Sequence, residues 1–225
     1  LAKPYPHLEA AAIPAKLTAT QLKGRVPDQE AAEGAVVKAP PDFSFRRPSF
    51  LPHKLTPAER GVATHLFMQF ARYERLTTPS GIAAERQRLL EEAFLTAEQL
   101  EAVDEKAVLE FFTAPLGQWL LSQEKVRREF KFSLLVDAAE VGYQVEGETL
   151  MLQGVVDCFV VEPDGLTILD FKTDWVGEKT VKARAQDYTP QIRAYGKALS
   201  TIYHLPVKRL ILYFFATGSA VEVEA

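Results

Sequence analysis

The sequence predicts an α/β domain: a mixed β-sheet flanked by helices on both faces, with an extended N-terminal arm. Three observations predict it. Segments with helix-capping signatures fill the stretch from Thr56 to Ser122. Alternating or wholly apolar, β-branched runs then occupy most of Val126 to Phe171, and a further helix and an apolar strand close the chain. At 225 residues, with 47% hydrophobic and 25% charged side chains, the chain has ample core for one such domain.

In chain order, residues 1–53 read as an N-terminal segment and linker, and 54–225 as the main domain. Thr20 is placed to cap a short helix within PAKLTATQLK. From Lys23 to His53 the chain is rich in Pro and Gly without a period, which describes a linker or surface arm; its Arg46-Arg47 pair is within the chemistry of a phosphate contact, but a solvated loop charge is the favoured reading. Thr56-Pro57-Ala58-Glu59 is a capping box with Pro at the first helical position, opening a helix that the pattern carries to Leu76. Ala83–Phe94, Thr96–Phe112 and Leu116–Ser122 read as three more helices, the second opened by Thr96-Ala97-Glu98-Gln99.

Val126–Leu135 alternates apolar with charged residues, the mark of a half-exposed strand. Val141–Val145, a turn at Glu146-Gly147 and a long strand from Met151 to Val161, apolar enough for burial on both faces, continue a meander. Pro163-Asp164-Gly165 is turn chemistry, and Leu166–Phe171 is the returning strand. The stretch up to Tyr188 reads as a loop with Lys179, Lys182 and Arg184 available to phosphate. Thr189 and Pro190 then open a helix, QIRAYGKALSTIY. Val207–Phe215 is an apolar strand and VEVE an edge strand whose glutamates discourage further pairing.

The chemistry concentrates in the hairpin. Asp157 interrupts an apolar strand, and Asp170 and Lys172, two residues apart, leave one face of the next. Buried carboxylates placed together repel, and a divalent cation removes that cost. A two-residue loop closed by Glu162 and Gly165 sets Asp157 opposite Asp170. A three-residue loop instead pairs Asp157 with Phe171 and demands a bulge to re-aim a carboxylate. Gln191 and Tyr195, four apart, share a helix face, which is ordinary helix surface unless that helix packs over the hairpin.

The string GVVD…ILDFKTDWV, with twelve residues between Asp157 and Asp170, resembles the PD-(D/E)XK nuclease superfamily and its RecB-type branch, above all the carboxy-terminal nuclease modules of AddA-type helicase-nucleases. Further matches flank it: YPHLEAAAIPAKLTATQL resembles the segment preceding that module, and AERGVATHLFMQF resembles the motif whose histidine is a metal ligand. Glu129 in RREFKF resembles a family R-E-x-x-F strand, and Tyr188, Gln191 and Tyr195 resemble Y-x-x-Q-(x3)-Y.

The resemblance implies a restriction-endonuclease-like core. It implies that His65, Asp157, Asp170 and the backbone carbonyl of Phe171 bind a catalytic metal, Mg²⁺ or Mn²⁺, imidazole tilting the preference toward Mn²⁺. Lys172 then positions or activates the water and stabilises the developing charge on phosphorus, and Gln191 and Tyr195 complete the catalytic set. Glu129 leans on the metal's water or on Lys172, or is a surface glutamate. The implied activity is a DNA exonuclease acting in double-strand break repair on the unwound, 3′-terminated single strand, delivered by helicase domains of the same polypeptide and partnered by an AddB-type subunit. The alternatives are a catalytically inactive nuclease fold that binds DNA or another protein, and an interaction domain whose carboxylates are structural salt bridges with Lys172.

Composition bounds these readings. A net charge of −4 and a pI near 5.7 count against a free-standing nucleic-acid binder, although metal-binding acids add to the acidic count and a motor-fed module needs little affinity of its own. The single Cys158 excludes a disulfide framework and fits a cytoplasmic setting. No run approaches a membrane span, no Walker-type signature is present, and the start at Leu1 suggests a piece of a longer chain.

Overall fold

Strands β2 (Val126–Asp137), β3 (Thr149–Glu162) and β4 (Gly165–Lys172) form the antiparallel centre of the sheet in the computed structural model, which describes residues 13–23, 55–143, 145 and 147–224. Strand β5 (Val207–Phe214) adds parallel to β4, and β6 (Ser219–Val223) closes that edge antiparallel. A short strand, β1 (Lys16–Thr18), pairs parallel with Met151–Gln153 of β3 and continues into a 3₁₀ helix, Ala19–Lys23. The N-terminal segment therefore joins the sheet where sequence predicts only a helix, and Thr20 lies inside the 3₁₀ turn rather than capping it. The expected linker, its Arg46-Arg47 pair and the boundary at residue 53 lie outside the described residues, as does Glu146.

Helices α1 (Pro57–Phe70), α2 (Pro79–Glu91), α3 (Ala97–Ala102), α4 (Glu105–Thr113) and α5 (Pro115–Leu121) cover one face, where Phe67, Leu89, Phe111 and Phe112 pack on Cys158, Leu169, Phe171 and Tyr213. Helix α6 (Val181–Tyr203) covers the other, with Tyr188, Ile192, Tyr195 and Leu199 against Phe132, Leu152, Ile168 and Leu212.

Thr56 caps α1 and Glu59 reaches back to the Thr56 amide, as the capping box predicts. The helix stops at Phe70, not Leu76. Ala71 is extended, and two arginines from elsewhere take the last carbonyls: Arg88 donates to Phe70 O at 2.8 Å, and Arg128 to Met68 O and Ala71 O at 3.1 and 2.6 Å. Helix α2 begins at Pro79 with Thr78 as cap, ahead of the expected Ala83. The predicted Thr96–Phe112 helix is two helices, because Asp104 accepts from the amides of Lys106 and Ala107 and starts a second one. Of the strand expected over Val141–Val145, the described residues Val141, Gly142, Tyr143 and Val145 are not in a strand; a 3₁₀ turn, Ala138–Val141, ends at Gly142 in the left-handed region. Helix α6 starts at Val181, so the expected loop is partly helical and Pro190 lies in the helix interior.

The β3–β4 hairpin takes the two-residue loop, with Glu162 opposite Gly165. Their ladder runs only to Cys158 opposite Leu169 and stops at Asp157 and Asp170. On the other side the β2–β3 ladder omits Glu129 and Asp157, and Glu129 has φ 48°. The strand phases reverse there. Before Asp157 the even-numbered Leu150, Leu152 and Val156 face α6; beyond it Cys158 and Val160 face the α1–α5 layer. The re-aimed carboxylate foreseen for a three-residue loop thus arises with a two-residue one.

Candidate active site

Among the described residues, the edge of β3 away from β2 has no strand beside it from Gly154 to Asp157, because β1 ends at Gln153 and β4 departs at Cys158. That gap opens into a cavity of about 540 Å³ lined by His65, Glu129, Asp157, Asp170, Lys172, Gln191 and Tyr195, with Thr18 and Thr20 of the N-terminal segment at its wall. Apart from Phe171, every residue expected in the site lines this one space. Two glycines set its walls. A Cβ at Gly61 would lie 2.8 Å from Thr173 Oγ1, so α1 sits tightly on the end of β4, and one turn later His65 reaches the hairpin. A Cβ at Gly154 would lie 2.7 Å from the Phe132 ring and 3.0 Å from that of Tyr195, so α6 is held close over β3.

His65 Nδ1 lies 3.5 Å from Asp157 Oδ1, and Asp157 Oδ2 accepts the Phe171 N–H at 2.7 Å. Burial alone pushes the Asp157 carboxyl up, but the His65 ring, Lys172 and the Phe171 amide outweigh it and hold the group below the usual carboxylate range. One ligand atom each from His65, Glu129 and Asp157 lies within 4.8 Å of the others. An ion about 2.0–2.6 Å from its ligands fits such a spacing, and an imidazole with two carboxylates is a donor set for a hard or borderline divalent cation. Glu129, left open between site and surface by sequence, is in this group. Its left-handed φ turns a side chain that strand alternation alone does not assign to the site.

Asp170 stands beside the group, with Oδ2 3.0 Å from Lys172 Nζ. The lysine is 1% exposed, lies 4.2 Å above the centre of the Tyr188 ring, and reaches Gln191 Oε1 at 3.4 Å. Gln191 Nε2 donates to Tyr195 Oη at 2.6 Å. Burial, with Asp170 and Asp157 nearby, raises the Tyr195 pKa well above its ordinary value, so the phenol keeps its proton at neutral pH. Tyr188 Oη bonds to Asp174, which Arg184 also holds at 2.7 Å. Arg184, expected to be available to phosphate, is committed to Asp174 and Asp187.

A sheet that splits beside two carboxylates and a buried lysine, with an imidazole brought in on a helix, is the framework of a metal-dependent nuclease fold. The chain belongs to the PD-(D/E)XK nuclease superfamily, whose family model matches residues 36–224. It is similar to proteins named as the A-type component of an ATP-dependent helicase/nuclease: 42% identical to that of Moorella thermoacetica over 97% of this chain and 16% of the relative. It is 34% identical to those of Acetivibrio thermocellus, over 95% and 17%, and Bacillus cereus, over 98% and 19%. The chain thus spans less than a fifth of the length of these relatives. No helix among the described residues is long and apolar enough to cross a membrane.

Proposed function

We propose that the chain is the metal-dependent deoxyribonuclease domain of a helicase-nuclease, an exonuclease that hydrolyses phosphodiesters of the unwound, 3′-terminated strand during double-strand break repair. The convergence of His65, Glu129, Asp157, Asp170 and Lys172 on one cavity carries the reading. Helicase domains of the same polypeptide, a partner of the AddB type and a cytoplasmic setting belong to it, supported by the names of the relatives and by a lone, buried cysteine. A motor that delivers the strand accounts for a nuclease with a net charge of −4.

His65, Glu129 and Asp157 would hold Mg²⁺ or Mn²⁺, joined by Asp170 and the Phe171 carbonyl. The Phe171 N–H points at Asp157, and the N–H and C=O of one strand residue leave by the same edge, so that carbonyl faces the metal donors too. The chemistry a divalent ion supplies when bound is neutralisation of phosphate charge and acidification of a water. Lys172, fixed between Asp170, Gln191 and the Tyr188 ring, presents an ammonium to the pentacoordinate phosphate as the water oxygen bonds to phosphorus and the ester oxygen leaves. Gln191 and Tyr195 orient that amine and bond to the phosphate or its attacking water.

The test is cleavage of end-labelled single-stranded DNA with Mg²⁺ or Mn²⁺. Lys172→Ala and Asp170→Asn are expected to lower the rate at least 100-fold, in proportion to the loss of a preorganised charge. Cleavage that survives both substitutions, or wild-type protein that binds the strand and never cuts it, overturns the reading; the second result marks an inactive nuclease fold.

A further inference from the structure

Trp175 is 95% exposed, three residues beyond Lys172. Its backbone is fixed on both sides. Asp174 is held by Arg184 and Tyr188, and Val176 is buried in the core against α6. An indole held outward by a pinned segment forgoes the burial that large aromatic side chains ordinarily gain.

The indole borders a second cavity, of about 960 Å³, whose lining includes Arg60, Gly61, Thr64, Thr173 and Asp174. This space adjoins the candidate active site: Gly61 and Thr64 on α1 line one, Val62 and His65 the other, while β4 gives Lys172 to the first site and its continuation Thr173 to the second. The acids along it are engaged. Asp174 and Asp187 pair with Arg184, and Asp104 accepts the first amides of α4. Arg60 lines it and is exposed, and Lys179 and Lys182, next in sequence to the lining residues Thr180 and Ala183, are exposed as well.

We propose that Trp175 is a stacking platform for a nucleobase next to the scissile phosphate, and that this second cavity is the path by which a single strand enters or leaves the site. The proposal rests on the nuclease reading and deepens it by naming a base-binding contact. Stacking is sequence-tolerant because every base has a π-face, and it binds a strand where net charge contributes little. That suits an acidic domain. Exposed bases are needed, so the platform takes single-stranded substrate and not duplex.

The chain contains two tryptophans, so Trp119→Phe leaves Trp175 as the sole indole reporter. Titration of that variant with a labelled oligothymidylate in EDTA is expected to quench indole emission in step with the rise in label anisotropy. Trp175→Ala is expected to weaken binding about 5- to 150-fold and to raise KM with kcat little changed, while Trp175→Phe recovers most of the affinity. An exposed side chain leaves the melting temperature unchanged. Unaltered affinity in Trp175→Ala, binding without quenching, or no binding at low salt overturns the proposal; the first two assign the indole to a protein neighbour. Because the quenching and anisotropy readouts are metal-free, they are separate from the nuclease reading, which fails on cleavage alone.

Discussion

Glu129 adopts φ 48° in the middle of a strand, a conformation that costs a residue with a Cβ about 1–2 kcal/mol. Here the strain turns the carboxylate toward His65 and Asp157. Glu129→Ala keeps the strain and loses the donor, whereas Glu129→Gly loses the donor and relieves the strain. In EDTA the glycine variant is therefore expected to be more stable than the alanine variant by about 1 kcal/mol, against the usual ranking of the two residues. Both are expected to bind Mn²⁺ at least 10-fold more weakly. Urea unfolding and calorimetric Mn²⁺ titration check the two halves, and an alanine variant equal to or more stable than glycine removes the strain from the account. Asp157, Asp170 and Lys172 were legible in the sequence because acids in an apolar hairpin stand out. Glu129 was less so. Its neighbours Arg127 and Lys131 are charged, and no glycine or asparagine marks the left-handed turn of the backbone.

At the scale of the element, capping chemistry located Thr56 and Thr96 correctly, and the same chemistry misled at Thr189-Pro190. Both residues carry the signature of a helix start, yet α6 runs through them. Thr189 Oγ1 donates back to Ala185 O at 3.0 Å, and Pro190 withholds an amide from the ladder. The reason is burial. Val181, Ala185 and Tyr188, nine, five and two residues before Pro190, pack into the core, and Val181, worth about 1.5–3 kcal/mol, together with the Tyr188 ring and the Ala185 methyl outweighs a single proline costing about 3 kcal/mol. Tyr188, which underlies Lys172, is placed by this same extension. Pro190 is exposed, so Pro190→Ala is expected to stabilise the protein by about 1–3 kcal/mol, read as a higher urea midpoint at unchanged slope. A destabilised alanine variant would mean that the helix needs a proline kink there. The end of α1 was illegible for a different reason: its caps, Arg88 and Arg128, come from 18 and 57–60 residues away.

For the whole molecule, composition and pattern gave the α/β class and the helix-covered sheet, since periodicity reports burial directly. They did not give the third neighbour of β3, a strand of three residues, or the split of the sheet at Asp157, which depends on pairings between distant segments. The split requires the α1–α5 layer to be held against the sheet independently of the ladder that ends there. Glu85 fastens that layer. It is 0% exposed, accepts the Arg72 amide at 2.9 Å just past α1, and takes two bonds from Arg88, whose Nη2 also holds the last carbonyl of α1. Burial raises the Glu85 pKa, but the Arg88 bonds and the Arg72 amide exceed that and leave it lowered; Asp157 is lowered as well. A carboxyl whose folded pKa lies below its unfolded value stabilises the fold fully above the unfolded value and loses that contribution as pH falls through the folded one. Unfolding free energy is therefore expected to hold level down to about pH 4.5 and to fall steeply below it. Glu85→Gln is expected to cost about 1.5–3 kcal/mol at neutral pH and to make the acid limb shallower, because one of the groups that must take up a proton is gone. Urea unfolding at a series of pH values checks both. An acid limb of unchanged slope in Glu85→Gln would place the acid sensitivity elsewhere, with Asp157 at the split next in line.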